Sequence, residues 1–116
     1  MTVKEINPKG NWGKLWIEAL KKDLKQATDN TAVGEHLLLE TNKYKVWSIH
    51  LQAGKSLPFH KHNKPYFYTV KTAGKSRSFY ADGTIIETEY QKDDIKYFKD
   101  LNESNYFIHN LENIGN

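Results

Sequence analysis

Cysteine is absent from this chain. That excludes a disulfide framework, thiolate metal ligation and cysteine nucleophiles, and it fits a reducing compartment. No apolar run approaches the ~18 residues that a membrane span requires. The first residues, Met1-Thr2-Val3-Lys4-Glu5, lack the apolar stretch of a secretory signal. A cytoplasmic location without membrane partners is expected. Internal repeats and low-complexity tracts are also missing. Clustered positive charge is lacking too: net charge is +3, but the lysines are dispersed from Lys4 to Lys99. A nucleic-acid surface needs them gathered on one face, so no nucleic-acid partner is expected.

What is present suits one globular domain of 116 residues, long enough to bury a modest core. Aromatic residues are plentiful, with 7 Tyr, 5 Phe and 3 Trp. Most fall in strand-like segments, as β-propensity expects. Residues 11–28 read as an amphipathic helix. Trp12, Leu15, Trp16 and Leu20 recur at helical spacing, with Leu24 following. Lys21, Lys22 and Lys25 occupy its C-terminal half, where cations suit the macrodipole. Asp29-Asn30-Thr31 breaks the pattern. The mixed charge of its polar face favours covering the edge or mouth of a sheet over lying on a membrane.

From His36 onward the pattern is β. Strands are expected at His36–Glu40 and at Lys45–Leu51, where Trp47, Ile49 and Leu51 alternate with polar positions. Others are expected around His60 and His62, at Tyr66–Lys71, Ser76–Ala81, Thr84–Tyr90, Ile95–Phe98 and Tyr106–Leu111. Asp82-Gly83 signals a two-residue hairpin. About eight short strands at close spacing imply an all-β sandwich or barrel.

Gly54-Lys55-Ser56-Leu57-Pro58-Phe59-His60-Lys61-His62 carries the chemistry. On a strand, side chains alternate with period two, so His60 and His62 share a face with Cα atoms about 6–7 Å apart. Two such imidazoles converge on one ion at nitrogen–metal distances near 2.0–2.1 Å for zinc. His109 lies in a further strand-like run. Three imidazoles leave coordination positions open, as catalytic metal sites do.

Gly54, His60-Lys61-His62 and Gly74 together resemble the first cupin motif. His109-Asn110-Leu111-Glu112-Asn113 resembles the second, a histidine followed four positions later by asparagine. Val46–Leu51, Ser76–Gly83 and His109–Gly115 are similar to the small single-domain cupins that include the beta-alanine degradation protein BauB. The resemblance implies a cupin-type jelly-roll β-barrel over 36–114, with the helix at 11–28, in a single domain 1–116. It implies His60, His62 and His109 as ligands of a divalent transition metal. The site is then a small metal-binding one, either dioxygenase-like toward a small organic substrate or non-enzymatic, binding a small ligand or acting as an interaction module.

The sequence departs from the cupin pattern in two places. The cupin glutamate falls at Tyr66 or Phe67, and Phe67 better keeps the spacing to Gly74; neither is a carboxylate. The proline and glycine that precede the second histidine are replaced by Ser104 and Tyr106. What remains resembles the three-histidine arrangement of cupin thiol dioxygenases. Neutral imidazoles favour iron, nickel, copper or zinc.

Other pocket candidates keep two readings each. Phe67 either fills core or forms an aromatic wall. His50 is a packed or surface histidine, or an acid/base group. Tyr66, Tyr68, Tyr80 and Tyr106 offer phenols that orient a substrate or donate a proton. Asn113 either points inward beside His109 or caps the turn before Gly115. Arg77 binds a carboxylate or lies on the surface. The chain stops soon after the second motif, where cupins commonly run on for another strand. That strand comes from the N-terminal residues or from a partner, or the protein is shortened. An edge left open is hazardous, so a homodimer is expected.

Overall fold

The structure, a computed structural model, describes residues 1–115. It is all-β with one short helix. The elements are β1 (Thr2–Asn7), α1 (Glu18–Gln26), β2 (His36–Glu40), β3 (Lys45–Ser48), β4 (Ser56–His62), β5 (Tyr66–Thr69), β6 (Gly74–Phe79), β7 (Ile85–Tyr90), β8 (Ile95–Phe98) and β9 (Phe107–Asn113). Five strands form an antiparallel sheet in the order β1-β7-β6-β9-β4, and β2-β3 and β5-β8 form separate two-stranded ribbons. Among the described residues no helix is long and apolar enough to cross a membrane.

The core lies on one face of the five-stranded sheet. Trp16, Phe59, Phe79, Ile85 and Ile108 are buried together, with Leu20, Leu24 and Ala27 from the helix packed against them. Burying a side chain of this size stabilises by roughly 1.5–3 kcal/mol. Trp16 stacks on Phe59 at 6.1 Å and meets Phe79 edge-on at 5.1 Å. Its Nε1–H donates to the Gly83 carbonyl at 2.9 Å, satisfying the one polar atom the indole brings inside.

That anchoring explains why the helix is shorter than the 11–28 the sequence suggests. Trp16 is fixed in a turn by its backbone N–H, which donates to Gly13 O. Ile17 is extended, so helical geometry begins only at Glu18. Gly10 adds a left-handed residue, with φ 80°. The helical spacing of Leu20 and Leu24 is real; that of Trp12 and Leu15 belongs to a loop.

Three further differences have local causes. β3 ends at Ser48 rather than Leu51, because the next ladder donor, the His50 N–H, is taken by the Glu35 carboxylate at 3.0 Å. The Asp82-Gly83 turn has a three-residue loop. Tyr80 N–H donates to Thr84 O, Gly83 N–H donates to Tyr80 O, and Gly83 is left-handed with φ 97°; this is a turn closed by a glycine bulge. β1, outside the 36–114 range, pairs with β7, so the N-terminal residues do supply a sheet strand.

One irregularity positions the site. β4 pairs with β9 as Leu57↔Leu111 and then His60↔His109, three steps on one strand against two on the other. The extra residue is a β-bulge at Pro58–Phe59, where proline has no N–H to contribute to the ladder. The bulge shifts the register by one, so that His60 rather than Phe59 stands opposite His109, while Phe59 packs in the core against Trp16. β4 is therefore buried on both sides.

Candidate metal centre

His60 and His62 follow the bulge on one face of β4, and His109 projects from its paired position on β9. The three rings meet edge to face, with centroids 4.8 Å apart for His60–His62, 4.7 Å for His60–His109 and 5.0 Å for His62–His109. One ligand atom from each lies within 4.8 Å of the others. Modest ring rotation closes that separation to the spacing of nitrogens bound at about 2.1 Å to one ion.

The donor set is prepared in other ways. His60 Nδ1 lies 2.7 Å from the Pro58 carbonyl. With the proton on Nδ1, the ring donates to that oxygen and keeps Nε2 free as a ligand, the outer-shell arrangement typical of metal-bound histidine. His109 is half-buried as a residue, but its Nδ1 is buried without a hydrogen-bond partner among the described residues. Such an orphan is costly unless something binds it. An imidazole-seeking ion fits this site on that observation.

Burial keeps all three rings neutral, the form that ligates. It lowers His60 despite the opposing pull of the Pro58 carbonyl. It lowers His62 to about 3, with the nearby His60 adding to the effect. His109 is held well below the ordinary value by burial and then by the other two rings.

Aromatic rings surround the cluster. Tyr66 stacks on His62 at 4.2 Å and Phe107 lies 5.0 Å from both His62 and His109. Tyr80 lies 5.0 Å from His109, opposite which it forms an isolated bridge. Phe98 stacks behind Tyr66 at 4.6 Å. Burial raises the Tyr66 phenol and pushes Tyr80 up to about 12, so both stay protonated at neutral pH.

The other candidates separate. The pleat of β5 turns Tyr66 to the histidines and Phe67 the opposite way, paired with Tyr97 and 64% exposed. Phe67 therefore does not line the centre, and of the two neighbouring positions it is Tyr66 that faces the histidines. His50 is exposed and outside the cluster. Asn113 caps the turn: its Nδ2 donates to Leu51 O at 2.7 Å and its Oδ1 accepts from Gly115 N–H at 2.9 Å. Arg77 is taken by Glu87 across the sheet, at 2.9 and 2.7 Å. Tyr106 is at the surface under the Lys61 ammonium.

Sequence reasoning missed Phe98, Phe107 and Asn110. Asn110 is buried and its Oδ1 accepts the Phe79 N–H at 2.8 Å, tying β9 to β6 behind the histidines. Phe107 was legible in principle, since it shares parity with His109. Comparison of the chain with protein-family models, with curated proteins and with solved structures gave no match.

Proposed function

We propose that this chain is a small metal-binding cupin whose centre is His60, His62 and His109, and that it acts on a small organic molecule. The buried, partnerless Nδ1 of His109 within a three-imidazole cluster carries the reading. The antiparallel sheet and the β4–β9 pairing of the two motif segments support a jelly-roll barrel of cupin type. A bound ion of iron, nickel, copper or zinc supplies Lewis acidity, or a meeting point for oxygen and substrate. The chain's own part is to hold three neutral donors, to exclude water with Tyr66, Phe98 and Phe107, and to present the Tyr66 and Tyr80 hydroxyls as proton donors. A cytoplasmic homodimer is the assembly we assign to it.

A second reading, a non-enzymatic ligand-binding module, draws on one observation. Two clefts lie away from the three histidines: one of about 420 Å³ between α1 and β4, and one of about 310 Å³ beside residues 97–105. Elemental analysis of the purified protein, with His60→Ala beside it, separates the two. Near-stoichiometric metal that is lost in the variant supports the metal centre; no metal in either sample, even after incubation with each candidate ion, sinks it.

A further inference from the structure

The cleft between α1 and β4, of about 420 Å³, has the size of a small-molecule site, and none of the three histidines lines it. Its walls are apolar, with Leu20 and Ala27 from the helix facing Leu57 and Phe59 from β4. Asn110 is the buried polar group among its lining residues, 5% exposed. It shares strand parity with Ile108, which packs in the core beside Trp16, so its amide stands on the face of the sheet that α1 covers. Its Oδ1 accepts the Phe79 N–H at 2.8 Å, which fixes the amide's orientation. Its Nδ2 has no hydrogen-bond partner among the described residues. Nor is that nitrogen sealed off, since among those residues His109 Nδ1 is the one side-chain atom both enclosed and unpartnered. The NH₂ therefore opens into the cleft that Asn110 lines. A donor held in such a place calls for an acceptor.

The mouth of the cleft has the opposite character. Asp23 lies three residues after Leu20 and four before Ala27, on the same face of α1, and is exposed. It is the one charged residue of the lining; Lys21, Lys22 and Lys25 of the same helix do not belong to it.

We infer that this cleft is a second binding site, and that it takes a small organic cation: an apolar body with a carbonyl oxygen at one end, held by Asn110 Nδ2, and an ammonium at the other, beside Asp23. The carbonyl end follows from Asn110, whose own oxygen is committed to Phe79 and which offers a ligand only N–H. The ammonium end follows from Asp23, which repels an anion and attracts a cation. The apolar body suits the walls of Leu20, Leu57 and Phe59. The site does not depend on an ion between the histidines, so either reading can fail alone.

The probe is para-aminomethylbenzamide, titrated into the isotope-labelled full chain while backbone amide shifts are followed by NMR. Two controls of nearly the same shape each lack one end: para-ethylbenzamide lacks the charge, and para-isopropylbenzylamine lacks the carbonyl. The probe is expected to bind with roughly millimolar affinity, shifting Leu20, Asp23, Ala27 and Leu57 most. Each control is expected to bind about three- to fivefold more weakly. Asp23→Asn, at an exposed helical position, should weaken the probe by the same factor and leave para-ethylbenzamide unchanged. Asn110→Asp keeps the oxygen that Phe79 uses but removes the donor, and should abolish the preference for the probe over para-isopropylbenzylamine. Equal affinity for the three compounds, probe binding unchanged in Asp23→Asn, or shifts centred on Tyr66 and Phe107 overturns the inference. So does the absence of saturable shifts at tens of millimolar.

Discussion

Tyr66 lies nearly flat against His62, with ring centroids 4.2 Å apart and planes inclined by 22°. It stacks in turn on Phe98 at 4.6 Å and 10°. The β5–β8 ribbon has no ladder to the main sheet, so this stack is a principal link between the ribbon and the histidines. Tyr66→Ala is expected to cost about 2–3 kcal/mol, less than a fully buried aromatic because the ring is only partly enclosed. Tyr66→Phe keeps the stack and should cost under about 1 kcal/mol. Urea midpoints at constant slope measure both. Equal losses in the two variants would show that the hydroxyl, not the ring, holds the ribbon.

Acid should destabilise the metal-free protein through the same cluster. All three histidines are lowered by burial, His62 to about 3, whereas in the unfolded chain each titrates near 6.5. Between those values the unfolded state holds protons that the folded state refuses. Stability is therefore full above about pH 6.5 and falls as pH drops, by up to about 1.4 kcal/mol per pH unit for each histidine. Asp94 and Glu103, whose carboxyls are lowered below values of 3.8 and 4.5, titrate further down. The window from pH 6.5 to 5 thus isolates the histidines. Urea unfolding at pH 8, 6.5 and 5 is the check, and a flat profile across them contradicts the assignment.

Metal and proton compete for the same nitrogens, which gives a linked prediction. A divalent ion at 100 times its dissociation constant should stabilise the protein by about 2.7 kcal/mol. Because burial keeps the folded-state imidazoles neutral, the gain should hold as pH falls from 7.5 to 5.5 and shrink only toward the lowered folded-state values, about 3 for His62. It should vanish on chelation and in His109→Ala. Thermal melts with and without zinc read the effect. An identical zinc-induced shift in His109→Ala would place the binding elsewhere.

Much of this arrangement is written in local pattern. His60 and His62 share a face because strands have period two, and His109 meets them because the bulge in β4 brings His60 opposite it on β9. His36–Glu40 and Ile95–Phe98 end where the sequence suggests. The illegible parts depend on partners distant in sequence. β1 shows no apolar alternation, being an exposed edge strand defined only by its pairing with β7. The early helical spacing fails because Trp16 is claimed by Gly83, 67 residues away. Motif spacing favours Phe67 for the inward position, but the pleat of β5 selects Tyr66, a choice set by pairing register.

The face opposite Tyr66 bears on assembly. Phe67 and Tyr97 pair across the β5–β8 ribbon, Ile95 stands two residues along on the same side, and the three are 64%, 66% and 64% exposed. Adjacent exposed apolar side chains of this kind suit an interface. In the proposed homodimer this face is covered by a second copy. Phe67→Lys with Tyr97→Lys should convert a dimer to a monomer in light scattering, leaving metal content unchanged. A monomer at all concentrations in the parent protein sinks the dimer.

At Gly83 the core is sensitive to a single methyl group. Its φ of 97° lies in the left-handed region, which costs a residue with a side chain about 1–2 kcal/mol. A Cβ there would also sit 3.0 Å from Gly10 N and 3.4 Å from Asn11 N, both backbone atoms. Its carbonyl accepts from Asn7 Nδ2 at 2.8 Å and from Trp16 Nε1 at 2.9 Å, so a shift of the turn disturbs two buried bonds. Gly83→Ala is expected to lose about 2–4 kcal/mol and to change tryptophan fluorescence as the Trp16 indole loses its partner. Gly74→Ala is the control, since a Cβ there meets nothing within 4 Å; it should stay within about 0.5–1 kcal/mol of the parent. If the two variants melt together, the Gly83 turn does not anchor Trp16, and the short helix needs another cause.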